Sequence, residues 1–290
     1  MATLDDARGG AAPWLLSAPA LLLFVVLLLV PLVLTFVLSF HVFRDLAGVQ
    51  SGYTLHNYLE VVTDPYYHTI FLRTGGLAFA VTALSIVLGV PETIVLARMR
   101  RPWQSICLLV VLGPLLISVV VRTLGWQILL GNNGVINSAL QALGVTDEPI
   151  RFVFTMTGVI VALTHVLVPF MVMSVWATLQ KLDPQIEWAG RSLGASPVRV
   201  FRRVVLPQIL PGVLSGSIIV FALSASAFAT PALIGGRRLK VVATAAYDEF
   251  LGTLNWPLGA SIAVLLLIAN VAIVMGCSRL AERRFKHVFD

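Results

Sequence analysis

The chain has 290 residues, 58% of them hydrophobic and only 12% charged, with a mean hydropathy of +0.92 and a net charge of +6. A soluble domain carries roughly a quarter charged residues, so this composition excludes one and points to a membrane protein. The positive balance fits cytoplasmic loops rather than nucleic-acid binding. Cys107 and Cys277, both in apolar stretches, support neither a disulfide framework nor a metal-ligand spacing.

A spanning helix needs about 20 mostly apolar residues. Stretches free of Asp, Glu, Lys and Arg run 9–43, 74–91, 102–121, 123–146, 152–180, 204–236 and 250–278. The run 123–146 contains "GNNGVINSALQ", too polar for hydrocarbon, where unpaired polar groups are costly. Its first part completes a span that begins near Ser105. Six spans are therefore predicted, at 14–40, 70–97, 105–130, 153–179, 206–233 and 257–278. The first opens after the acidic "MATLDDARGG" and is far longer than the apolar core of about 7–15 residues in a signal peptide, so it is read as retained. The polar and aromatic segment 41–69 is expected to hold one short helix. In 131–152, Ile136, Leu140 and Leu143 recur at i, i+4, i+7 and predict a short amphipathic helix. No internal repeat is visible. The predicted class is an all-α membrane protein, one six-transmembrane-helix domain over 1–290.

Lys and Arg gather on the cytoplasmic side of membrane proteins. With the N-terminus inside, the inner segments hold 13 of the 20 basic residues, among them Arg8, Arg98, Arg100, Arg101, Lys181, Arg191, Arg199, Arg202, Arg203 and Lys286. Both termini are expected to be cytoplasmic.

Between spans four and five the segment 181–205 reads as two short water-facing helices. Asp183-Pro184 starts the first, a capping side chain followed by proline at the first helical position. Ile186, Ala189, Gly190 and Leu193 form a narrow apolar face, and Gly194 stops the helix. Ser196-Pro197 restarts a second helix with Arg199, Arg202 and Arg203 in one stripe, and Leu206-Pro207 is expected to turn into span five. Such an elbow suits either a partner's groove or an anionic lipid surface.

These residues carry a resemblance. "WAGRSLGASPVRVFRRVVLP" is similar to the EAA loop, E-A-A-x3-G-x9-I-x-L-P, of ABC-transporter membrane subunits. Aligned on Gly194, Trp188, Ala189 and Gly190 fill the E-A-A slots, and Val204, Leu206 and Pro207 complete the pattern. The acidic residue is replaced by Trp188, and the nearest acid, Glu187, lies one position early. "TDEPIRFVFT", "VPFMVM", "LQKLDP", "PALIGG" and "NWPLGAS" extend the likeness to permease subunits of polyamine (spermidine/putrescine) importers. The resemblance implies a type I importer permease in the bacterial inner membrane, coupled to a separate ATPase through 183–207, with Leu193, Ala195, Ser196 and Pro197 in the coupling loop. It implies a second permease subunit as heterodimer partner, two ATPase subunits that bind ATP and Mg, and a periplasmic solute-binding protein. This chain itself is expected to bind no cofactor or metal and to hold no catalytic residue.

Charged and polar residues within spans are functional candidates. Arg122 is expected to snorkel outward or pack on outer-loop acids, Glu92 to pair with Arg98, and His165 to be a hydrogen-bonded packing group. Small residues in span five, among them Gly212, Gly216 and Ser224, allow close helix approach and leave room beside a path. Arg122, Trp126, His165, Phe170, Ser224 and Phe228 are the candidate path residues, the aromatic ones through cation–π attraction. The competing readings are a self-contained secondary transporter or channel and an intramembrane enzyme. The missing repeat and scarce span carboxylates oppose the former, and the lack of paired acids, H-E-x-x-H or a nucleophile motif opposes the latter. No G-x4-G-K-[ST] loop occurs, so nucleotide binding must belong to a partner.

Overall fold

The computed structural model describes residues 12–44 and 47–284, with side chains from 16 to 279 except at 45, 46 and Pro184. The acidic N-terminal stretch with Arg8, and Lys286, lie outside the described residues. Two compact units are present, one comprising residues up to Val62 together with Ala246–Val264, the other Thr63–Ala245 and the chain from Leu265 onward.

In the first unit, α1 (Ala12–Leu38) is apolar all round and exposed along Leu16–Leu38. A helix of this kind needs lipid to cover it. The segment after it corrects the expectation of a single short helix. Strands β1 (His41–Arg44) and β2 (Gly48–Tyr53) form an antiparallel hairpin, followed by α2 (His56–Thr63). Buried Asn57 fastens the hairpin to this helix, its Nδ2 donating to the carbonyls of Ser39 and His41 at 2.9 and 3.0 Å.

The second unit is built on α3 (Pro65–Arg98), α7 (Met156–Leu179) and α10 (Leu206–Ala225). Asp64 starts α3, its Oδ1 accepting from the Tyr66 amide at 2.8 Å with Pro65 at the first position. Thr155 caps α7 in the same way through the Gly158 amide. The core is Met171, fully buried between two glycines on different helices. A Cβ on Gly89 of α3 would lie 2.9 Å from Met171 Cγ, and one on Gly216 of α10 would lie 2.8 Å from its Sδ. The small residues of span five therefore serve close helix approach, with Met171 as the knob that fills two holes.

The expected third span is broken. α4 (Trp103–Leu116) and α5 (Val119–Leu129) are bent from each other by 102°. The break frees carbonyls at the end of α4, which hydrocarbon cannot hydrate. Arg122 supplies the partner, its Nη1 donating to the Pro114 carbonyl. Buried at 9% exposure, it caps a broken helix instead of snorkelling or reaching for outer acids. Arg122→Met should then cost about 1–3 kcal/mol through the orphaned carbonyl. Thermal denaturation in detergent would register the loss, with Arg122→Lys recovering part of it.

α6 (Val135–Ala142) matches the expected amphipathic helix, but its fully buried residue is polar. Asn137 Nδ2 donates to the carbonyls of Gly131 and Ile150, and its Oδ1 accepts from the Ile150 amide at 2.9 Å. Ile136 and Leu140 are half-buried and Leu143 is exposed, so one amide and not the apolar face pins this stretch. Helix α10 ends at Ala225, short of the expected 233, and α11 (Val242–Leu251) precedes α12 (Trp256–Arg284). Among the described residues, five helices are long and apolar enough to cross a membrane, six when the bent pair counts as one span.

Candidate functional site

The elbow between α7 and α10 is fixed by local chemistry at each joint. Asp183 Oδ1 accepts from the Gln185 amide at 2.9 Å and opens α8 (Pro184–Ser192). At its end the Gly194 amide donates to Arg191 O and the Ala195 amide to Gly190 O, the paired bonds of a Schellman stop. Gly194 adopts φ +77°, the left-handed conformation that this stop requires. Ser196 Oγ then accepts from the Arg199 amide and opens α9 (Pro197–Val200). Gly190 faces inward, where a Cβ would lie 3.3 Å from buried Val200, so α8 folds back onto α9 at this glycine.

No turn occurs at Leu206-Pro207, contrary to expectation. Residues Phe201–Val205 form one widened π-helical turn, in which the Leu206 amide donates to Phe201 O. Pro207 has no N–H for the Arg203 carbonyl, and its ring would strike that carbonyl in a regular helix; the wider turn relieves both problems. The elbow's second half and span five are consequently one helical run, Pro197–Ala225.

The elbow is tied to the rest of its unit on one side. Arg98, at the end of α3, pairs with Glu187 at 3.5 Å. Its partner is therefore not Glu92, which is half-buried and has no ion pair among the described residues. Glu187, the acid one position from the E-A-A slots, is thus engaged within the chain. Ile94, Ala97, Leu179, Leu182, Trp188 and Val205 join this pair around a cleft of about 230 Å³. Away from the pair the elbow is apolar and bare: Leu193 is 88% and Val198 67% exposed, Ala189 is exposed, and Trp188 at the cleft's edge is 74% exposed. The guanidinium stripe of Arg199, Arg202 and Arg203 adjoins it.

The candidate path residues separate into groups. Trp126 Nε1 donates to His165 Nδ1 at 3.1 Å with the rings edge to face, which leaves His165 Nε2 carrying the proton on an exposed helix face. Phe228 is exposed and Phe170 half-buried. Ser224 is buried, its hydroxyl donating to Phe221 O, and Arg122 belongs to the helix break. The Arg98–Glu187 pair and the Met171 wedge escaped sequence reasoning. "ARMRRPW" marks Arg98 as basic, but nothing in the sequence couples it to an acid in a distant segment.

A family model, the binding-protein-dependent transport system inner membrane component, matches residues 11–287. The spermidine/putrescine transport system permease protein PotB of Escherichia coli (strain K12) is 33% identical over 252 residues, covering 87% of this chain and 90% of the relative. PotB of Salmonella typhimurium (strain SL1344) is 32% identical over 255 residues, covering 87% of this chain and 88% of the relative. The fold is shared with a bacterial alginate ABC transporter solved in complex with its alginate-pentasaccharide-bound periplasmic protein, at TM-score 0.75 and 17% identity over 94% of this chain and 96% of that one. With spans, elbow and matched length in agreement, the chain belongs to the binding-protein-dependent transport system inner membrane components: it is the permease subunit of an ABC importer, a transport subunit and not an enzyme.

Proposed function

We propose that this permease moves a polyamine, of the spermidine or putrescine kind, from periplasm to cytoplasm. The PotB relatives support this solute. Exposed Phe228 adds an aromatic ring suited to a cation. Both termini and the elbow lie on the cytoplasmic side, as the distribution of Lys and Arg suggests. There the bare apolar knuckle of Trp188, Ala189, Leu193 and Val198 seats in a groove of a separate ATPase, where ATP and Mg bind. A second, non-identical permease subunit, two ATPase subunits and a periplasmic binding protein complete the assembly.

The observation that carries this reading is the unbroken helical run Pro197–Ala225. A push on the elbow has no joint in which to dissipate before it reaches α10. That helix meets α7 and α3 at Met171, so its displacement shifts the three-helix core as one body.

Gly194 tests the coupling. A Cβ there would have no atom within 4 Å, so a substitution acts on backbone conformation alone. Gly194→Val forces a β-branched residue to φ +77° at about 1–2 kcal/mol or more, whereas Gly194→Asn tolerates that region. In proteoliposomes holding the full transporter, ATP-dependent spermidine uptake should fall about tenfold for the Val variant and persist for Asn. Uptake and ATPase co-purification equal to the unmodified protein in Gly194→Val would refute the coupling. Competition by gamma-aminobutyrate or an aminophosphonate, and not by putrescine, would reassign the solute alone.

A further inference from the structure

At the end of α3 away from the elbow, cationic side chains from two sequence-distant elements converge. Tyr66, Thr69, Ile70 and Arg73 recur at i, i+3, i+4, i+7 and share one face of α3. With Arg237, Arg238 and Lys240 they line a groove of about 420 Å³. The basic turn is held in place from three directions. Gly236 adopts φ +62°, and a Cβ there would lie 2.7 Å from the Phe154 ring, so the chain passes tightly over that ring just before Arg237. Arg73 Nη1 donates to the Lys240 carbonyl at 3.1 Å, and the Val242 amide donates to Thr74 Oγ1 at 2.9 Å. Arg237 and Arg238 are exposed, and neither they nor Arg73 has a carboxylate partner among the described residues. Gathering the guanidinium groups of Arg73, Arg237 and Arg238 with no acid among the groove's lining residues leaves a site of positive potential.

Depth identifies the counter-ion. A helical rise of about 37 Å separates Arg73 from Arg98 along α3. The hydrocarbon core is about 30 Å thick, and 74–91 carries no charge. When Arg98 lies at one interface, Arg73 lies among the headgroups of the other leaflet. Tyr66 and Ile70 on the same face provide the half-polar, half-apolar lining of that level.

We propose that this groove binds the phosphate of an anionic phospholipid in the leaflet opposite the elbow, with Arg237 and Arg238 as the principal donors and Arg73 oriented by the Lys240 carbonyl beside them. Guanidinium groups present paired N–H donors that match phosphate oxygens, which favours a phosphodiester over a diffuse charge. The bound lipid neutralises a cluster that would otherwise repel a cationic solute at the same end of the permease.

The test uses the full chain co-purified with its ATPase partner in mixed micelles of phosphatidylglycerol and phosphatidylcholine, with retained lipid read by native mass spectrometry. The unmodified complex should retain phosphatidylglycerol in preference to phosphatidylcholine. Arg237→Gln with Arg238→Gln should lower that retention about fivefold per arginine removed. Both residues are exposed, so ATPase co-purification should be unchanged and confirms that the variant is folded. Millimolar inorganic phosphate should not displace the lipid. Equal retention by variant and unmodified complex overturns the proposal, as does displacement by inorganic phosphate, which would make the groove a free-anion site. Unchanged lipid with weaker capture of variant proteoliposomes by the binding protein overturns it too and would make the groove a protein-docking surface.

Discussion

Leu193→Asp should abolish ATPase co-purification while leaving the permease inserted and folded. Leu193 is 88% exposed at the end of α8, so the substitution disturbs little packing within the chain. Its apolar neighbours on the knuckle, Trp188 and Val198, are almost as bare. In a docked groove a carboxylate would be desolvated without a partner, which costs several kcal/mol and weakens association by at least about 100-fold. Pull-down of the ATPase by tagged permease measures the loss, and melting of the permease alone should be unchanged. Equal pull-down by Leu193→Asp and the unmodified chain would remove the knuckle from the interface.

The second large effect lies in the core. Met171→Ala should cost about 2–5 kcal/mol by opening a cavity between α3, α7 and α10. Gly89→Ala should cost about 1–3 kcal/mol, because its Cβ would sit 2.9 Å from Met171 Cγ and 3.2 Å from Val168 Cγ2. Combined, the two should cost less than their sum by about 1 kcal/mol, since shortening Met171 vacates part of the space the new methyl needs. Strict additivity in detergent unfolding would show that Met171 and Gly89 do not press on one another.

The elbow was the most legible part of the sequence because its joints are local. Asp183-Pro184, Gly194 and Ser196-Pro197 each determine a cap or a stop within four residues, and all three act where expected. Features that depend on distant partners were not legible. Arg98 and Glu187 read as a basic clamp and a displaced motif acid, and only folding brings them together. The break at 117–118 lies inside a charge-free run, so composition points to a straight span, and Arg122 then reads as a charge snorkelling outward or packing on outer-loop acids. The hairpin at 41–53 was hidden by a polar, aromatic sequence with weak alternation. Asn137 was overlooked because periodicity weighs apolar residues, whereas an amide bonded on both its donor and acceptor atoms pins a polar loop more firmly than two half-covered aliphatics and an exposed one.

The wide turn at Phe201–Val205 sets a phase. One surplus residue in a helix advances everything beyond it by about 100°. The compass bearing at which Arg199, Val198 and the whole of α8 point around the axis of α10 is therefore dictated by the proline that follows them. A chain with an ordinary residue at 207 could regain regular winding and would present a different flank to whatever grips it. The orientation of the elbow about span five is thus written into the membrane segment itself.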